Sequence, residues 1–192
     1  MGISGASGAI YGIRFLELLR GMRGVESHLI VSAAAKRTIV EETDYTVHDV
    51  EALAPHRYSN KDIGASLASG SFKTEGMVVV PCSIKTAAAI AHCLADTLIA
   101  RAADVTLKEG RPLILVVRET PLHLGHLRVL TALAEMGAVL LPPMPAFYNR
   151  PKQIDDLVTH TLARVLDRLG LPQTLVPEWQ GMAARALPPE RG

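Results

Sequence analysis

Several common starting points for a functional reading are missing from this chain of 192 residues. Cysteine is nearly absent: Cys82 and Cys93 stand eleven positions apart, with no CxxC and no histidine pair at finger spacing. That pattern argues against a disulfide framework and a structural zinc site. Neither sign of charge dominates, because 20 Lys and Arg face 19 Asp and Glu for a net +1. The balance offers no basic field for a nucleic-acid backbone and no polybasic membrane anchor. Long apolar runs are missing too, and a stretch such as Leu113 to Val117 falls far short of the roughly 20 residues of a membrane span. Met1-Gly2-Ile3-Ser4 enters glycine-rich sequence directly, without the basic and then apolar segments of a secretion signal. The cytoplasm is the expected location. What the chain does have is 48% apolar residues with 20% charged ones, a composition too apolar for disorder. Low net charge with so much apolar content predicts that other subunits cover part of the surface.

Apolar runs of strand length alternate with segments of helical period, the pattern of a three-layer α/β/α domain around one Rossmann-like, flavodoxin-like parallel sheet. The expected strands are Ser27 to Val31, Met77 to Pro81, Leu113 to Val117 and Ala138 to Leu141. Each is almost wholly apolar, as parallel strands covered on both faces are. The expected helices are Ala9 to Arg23, Ala33 to Glu42, Thr86 to Ala91, Thr97 to Lys108, Gly125 to Met136 and Ile154 to Leu169. Residues 43–74 read as a helix-containing excursion followed by a loop. Residues 1–192 form one expected domain, in which 170–192, with Pro172, Pro177, Pro188 and Pro189, make an arm that packs on the domain or on a neighbouring subunit. Only Met1, Gly2 and Ile3 precede the glycine-rich turn, so the first strand is expected to be incomplete, with the chain starting late.

Four clusters carry chemistry. Gly2-Ile3-Ser4-Gly5-Ala6-Ser7-Gly8 leads into the first helix, where glycine allows a sharp turn, Ser7 can cap, and free N–H groups suit an anion or a polarised ring edge. The spacing is not GxGxxG, which weighs against a dinucleotide. Pro81-Cys82-Ser83-Ile84-Lys85-Thr86 follows a buried strand, with Ser83 and Thr86 spaced as a cap and a third helical residue. Cys82 has no evident base beside it and reads as a small buried side chain. Two such turns at the carboxyl edge of one parallel sheet mark a ligand site. Arg118-Glu119 after the third strand is a charge pair at that same edge, and Lys108 either joins it or offsets a helix dipole. His123 and His126 lack a third metal ligand and read as structural or surface residues. Last comes Pro142-Pro-Met-Pro-Ala-Phe-Tyr148-Asn-Arg150-Pro151, whose prolines fix the path of Phe147 and Tyr148.

Together these blocks resemble the flavin prenyltransferases, within the wider family of flavin-binding homo-oligomeric cysteine decarboxylase folds. The matching segments are GISGASGAIYG, EETD, ASGS, PCSIKT, RAADVTLKEGRPL, RETPLHLGHL and PPMPAFYNRP, in the family's order and over nearly the whole chain up to Trp179. The resemblance implies that a dimethylallyl group passes from dimethylallyl monophosphate to N5 and then C6 of reduced FMN, without a metal. It further implies a homododecamer whose product serves a partner decarboxylase in ubiquinone synthesis or aromatic-acid breakdown. By position, Gly5, Ala6, Ser7, Ser32, Ser83, Ile84, Lys85, Thr86 and Arg118 would hold FMN. Lys108, Arg118, Tyr148 and Arg164 would grip the prenyl phosphate, with Trp179 helping to enclose the site. Ser7, Glu42, Glu119 and Lys108 would take part in the chemistry.

The chemistry agrees with this implication. Breaking an allylic C–O bond releases phosphate and needs cationic side chains, which Lys108, Arg118 and Arg164 supply. Closing a ring onto C6 needs a base, a role open to Glu119 or to the phosphate itself. Gly110 stands where relatives commonly carry a basic residue. Two other readings share the blocks: a flavin-dependent cysteine decarboxylase, which would leave Lys108, Tyr148 and Arg164 unexplained, and a flavin carrier, which would need neither Glu119 nor Arg164.

Overall fold

The computed structural model describes residues 1–178 and Gly181. Six parallel strands, in the spatial order β3-β2-β1-β4-β5-β6, form one sheet. They are β1 (Gly2–Ile3), β2 (His28–Val31), β3 (His56–Ser59), β4 (Met77–Cys82), β5 (Leu113–Val117) and β6 (Val139–Leu140). The helices are α1 (Ala9–Arg20), α2 (Ala33–Glu42), α3 (Val47–Ala52), α4 (Ile84–Ala91), α5 (Leu98–Lys108), α6 (Leu124–Glu135) and α7 (Ile154–Leu169). This is the doubly wound order, with the direction of progression reversing between β1 and β4.

The continuous apolar strands divide their side chains between two cores. In β4 and β5, Val78, Val80, Ile114 and Val116 meet Phe15 and Leu19 of α1 and Val158, Leu162 and Leu166 of α7. Met77, Val79, Leu113, Leu115 and Val117 point the other way, into α4, α5 and Leu133 of α6. A third cluster joins Ile3, Leu29 and Val31 to Ile13 and Leu16 of α1, to Ala35 and Ile39 of α2 and to Val50 of α3. Alternation with period two therefore persists inside runs that are apolar throughout, which is how a sheet covered on both faces packs.

Residues 43–74 contain the expected helix, α3, and a strand that the polar sequence conceals. β3, His-Arg-Tyr-Ser, lies at the sheet edge with side chains alternately half-buried and exposed. A short 3-10 turn follows at Ser66–Ala68. α1 ends three residues before the expected Arg23, where Gly21 bonds back to Glu17 and Leu18. α4 starts two residues before Thr86, because Ser83 is already its cap.

The first strand is present but two residues long, and it sits at the centre of the sheet. Gly2 pairs with Ile30 and Val79, and Ile3 pairs with Val31. Beneath it, between the amino ends of β2 and β4, lies a cavity of about 450 Å³ lined by Met1, His28, Phe72, Met77, Val105 and Leu169. The Met1 ammonium donates to the carbonyl of His28 at 2.6 Å, and burial pushes its pKa down to about 5. Among the described residues, no helix is long and apolar enough to cross a membrane.

Candidate functional site

The loops after β1 and β4 leave the sheet side by side at the reversal point, and a buried serine joins them. Ser4, 1% exposed, donates its hydroxyl to the Pro81 carbonyl at 3.0 Å and accepts the Ser83 N–H at 2.7 Å. That one side chain satisfies two groups of the neighbouring turn, which makes the relative position of the loops a matter of hydrogen-bond length. Sequence reading passed over Ser4, because its partners lie 77 and 79 residues away.

Past Ser4 the backbone turns through Gly5, where an added Cβ would stand 2.3 Å from the Ala34 Cβ of α2. Real Cβ atoms do not approach so closely, so only glycine lets this turn lie this near to α2. Gly8 is the N-cap of α1, with φ 99, and no side chain of the turn caps the helix. The expected cap, Ser7, is replaced by Glu42 at the far end of α2. Its Oε2 accepts the Gly8 N–H at 2.8 Å and the Ala9 N–H at 3.1 Å. Partial burial pushes the Glu42 carboxyl upward, but hydrogen bonds from the Ser7 hydroxyl and from the Gly8 and Ala9 N–H groups, with the charge of Arg118, outweigh it. The net result lies below the usual glutamate range. The start of α1 is thus occupied by a carboxylate, and an incoming anion must look elsewhere.

Two neighbouring helix starts are capped by serines. Ser32 accepts the Ala35 N–H at 3.1 Å. Ser83 accepts the Thr86 N–H at 3.3 Å and donates to the Thr86 hydroxyl at 3.1 Å, as its spacing predicted. Ile84 is half-buried and Lys85 exposed beside them, while Ala6 is buried beneath the first turn. Cys82 is buried, and burial pushes its thiol up to about 12, as befits a packing residue.

Arg118 follows β5 at the same edge, its N–H bonded to the Cys82 carbonyl at 3.0 Å. Among the described residues, Arg118 and Glu119 are not joined to each other as an ion pair. Arg118 acts on Glu42, whereas Glu119 accepts the N–H of Thr120 at 3.1 Å. Adjacent residues at the end of a strand point to opposite sides, so the two charges serve different neighbours. His123 caps α6 by accepting the Gly125 N–H, and its ring lies 3.6 Å from that of His126, a structural use of both.

The four residues expected to grip one phosphate are not together in one chain. Lys108 ends α5 at the amino end of β5, beside Gly70, and is paired with Glu109. Arg118 stands at the carboxyl end, and five strand residues separate the two edges by about 17 Å. Tyr148 and Arg164 lie on the flank beyond β6. The Tyr148 hydroxyl is 2.8 Å from His160 Nε2, and Arg164 pairs with Asp167 at 2.7 Å. His160, Arg164 and Arg168 line a cavity of about 270 Å³ there. Trp179 lies outside the described residues, as does most of the expected arm.

A possible metal-ligand cluster, Glu26-His28-His56, occupies the amino edge, far from these loops. Its imidazoles stack 4.4 Å apart at 12°, so their lone pairs run nearly parallel and do not converge on one ion.

Comparison with known proteins places this arrangement. The Flavoprotein family model matches residues 1–166. The flavin prenyltransferase UbiX of Escherichia coli K12 is 56% identical over 183 residues, covering 94% of this chain and 97% of that protein. UbiX of Thauera aromatica is 53% identical over 191 residues, covering 100% and 98%. This chain belongs to the UbiX flavin prenyltransferase family.

Solved structures of that family have the same fold. A dodecameric FMN-dependent UbiX-like decarboxylase from E. coli O157:H7 is 52% identical, with a TM-score of 0.92 over 94% of this chain and 97% of that one. AnUbiX, solved with FMN and dimethylallyl pyrophosphate, is 46% identical, with a TM-score of 0.92 over 95% and 96%. FMN-dependent cysteine decarboxylases such as TvaF, 15% identical with a TM-score of 0.64, share the UbiX fold at a distance.

Proposed function

We propose that this chain is a cytoplasmic, metal-independent flavin prenyltransferase that moves the dimethylallyl group of dimethylallyl monophosphate onto N5 and C6 of reduced FMN. The product would serve a decarboxylase that needs the modified flavin. The observation that carries this reading is the convergence, at one reversal point, of a bare glycine turn, two serine-capped helix starts and the Arg118-Glu119 loop. That donor set fits a planar ring with a phosphate tail. Gly5, Ala6 and Ser7 give the ring a flat approach, Ser32 and Ser83 to Thr86 offer hydroxyls and N–H groups, and Arg118 supplies the cation. With Glu42 filling the start of α1, the phosphate tail is directed to α4 and Arg118.

In this reading the departing phosphate is stabilised by Lys108, Arg118, Arg164 and the Tyr148 hydroxyl, each aimed at charge that grows as the C–O bond breaks. Glu119, fixed by the Thr120 N–H, takes up the proton lost on ring closure, with the released phosphate as the alternative base. Ser7 and Glu42 form a proton-relaying pair beside the ring. Because Lys108 stands at the opposite sheet edge, it completes a site only on a neighbouring copy of the chain. A dodecameric relative supports that arrangement. The deciding experiment is mass spectrometry of the flavin after anaerobic incubation with reduced FMN and dimethylallyl monophosphate. A gain of one five-carbon unit is expected; tightly bound but unmodified FMN would leave a carrier or a cysteine decarboxylase in its place.

A further inference from the structure

Arg164 is read as meeting a phosphate, yet its guanidinium already has a partner. Its Nη1 donates to Asp167 Oδ2 at 2.7 Å, about one turn further along α7. The other oxygen of that carboxylate is also taken, since Oδ1 accepts the Gln173 side-chain amide at 3.1 Å. Gln173 is itself fixed, because its Oε1 accepts the N–H groups of Leu175 and Val176 at 2.9 and 3.4 Å. Asp167 is therefore held from two sides, by the buried Val165 and Leu166 beside it on the helix and by the turn that follows the helix. Its pair with Arg164 joins two partly exposed side chains at i and i+3, an arrangement that adds little to stability. What the pair does fix is the direction of the guanidinium.

That direction is legible from the lining of the cavity beyond β6. Arg164 and Arg168 line it together with Leu140, Pro142 and Met144, and Asp167 does not. The carboxylate thus holds the guanidinium from outside the cavity and does not compete for an anion within it. Among the described residues Arg164 engages only its Nη1, so Nε and Nη2 remain for an anion. An arginine without such a hold samples many rotamers, and fixing it when a ligand arrives costs affinity. A guanidinium already held by a carboxylate meets that cost before the ligand binds.

We propose that Asp167 is a positioning residue, which pre-sets the Arg164 guanidinium with its remaining donors toward the prenyl phosphate. This rests on the reading of Arg164 as a phosphate ligand. The test is steady-state kinetics with varied dimethylallyl monophosphate at saturating reduced FMN, in wild type, Asp167→Ala, Arg164→Ala and the double variant. FMN binding is followed separately by fluorescence quenching. Asp167→Ala should lower kcat/KM about fivefold, the size of one long side chain left to be immobilised, with FMN affinity unchanged. Arg164→Ala should lower it by about tenfold or more, as a lost bond to a charged group does. On that background the loss of Asp167 should cost nothing further, because no guanidinium is left to aim. A merely structural role would persist without Arg164, and a loss that adds to that of Arg164→Ala overturns the proposal. If Ala perturbs the fold, Asp167→Asn takes its place, the same size but with one acceptor oxygen for two donors. A wild-type kcat/KM in Asp167→Ala beside a lowered one in Arg164→Ala overturns the role of Asp167 alone. A raised value in Asp167→Ala also overturns it, by making the carboxylate a competitor of the phosphate. A wild-type value in Arg164→Ala removes Arg164 from the phosphate site, and the role of Asp167 falls with it.

Discussion

Glu42 caps a helix other than its own: its carboxylate accepts the Gly8 and Ala9 N–H groups at the start of α1. Removing a cap costs about 1 kcal/mol, so Glu42→Ala should lower unfolding free energy by that order in urea titrations at neutral pH. The pH dependence has a definite sign. Glu42 has a lowered folded pKa, so its contribution is complete above the ordinary glutamate value and disappears as pH falls through the lowered one. The stability gap between wild type and Glu42→Ala should accordingly shrink only in that acid window. Glu119→Gln should keep FMN bound and lose turnover; a wild-type rate would take Glu119 out of the mechanism. Cys93 is exposed and Cys82 buried with its pKa at about 12, so a thiol reagent should modify Cys93 at once and Cys82 only after unfolding. At this scale the sequence was readable where partners are local. Ser83 and Thr86 announce a cap by their spacing, whereas Ser4 and Glu42 act on groups 79 and 34 residues away and announce nothing.

Elements with a strong apolar signal were legible almost to the residue: β5 and α7 match the expected bounds, and β2, β4 and α5 differ by one residue. β3 was hidden because an edge strand needs no apolar face, and His-Arg-Tyr-Ser carries no alternation of hydrophobicity. The packing of elements also constrains the candidate site. Gly5→Ala would drive a methyl into Ala34, and overpacking of this kind costs about 1–3 kcal/mol. α2 must then move away from the turn, which should weaken FMN binding more than it lowers the melting temperature. Calorimetry of flavin binding beside a thermal melt would separate the two. Gly110 takes φ 66 just past the end of α5, a left-handed turn where glycine is free of strain.

For the molecule as a whole, the informative fact is the scatter of Lys108, Arg118 and Arg164 over two edges and a flank. No sequence pattern reveals it, since the order of motifs along a chain says nothing about which copy supplies each group. If sites are shared, co-expressing Lys108→Ala chains with Glu119→Gln chains should restore part of the activity that each variant lacks alone. Failure to restore any would place the whole site within one chain. Leu124 and Leu127 on α6, 61% and 48% exposed, are candidates for a covered face, and Leu127→Asp should reduce particle mass in light scattering. A final consequence follows from the brevity of β1. The sheet is narrowest along its midline, where two residues and the Ser4 rivet join a two-stranded leaf to a three-stranded one. Thermal breathing should open it there like a book along its spine, with amide exchange at Gly2 and Ile3 outpacing that within β4 and β5. The candidate site lies at the carboxyl end of that same spine, so a ring bound there would act as the binding that holds the two leaves shut.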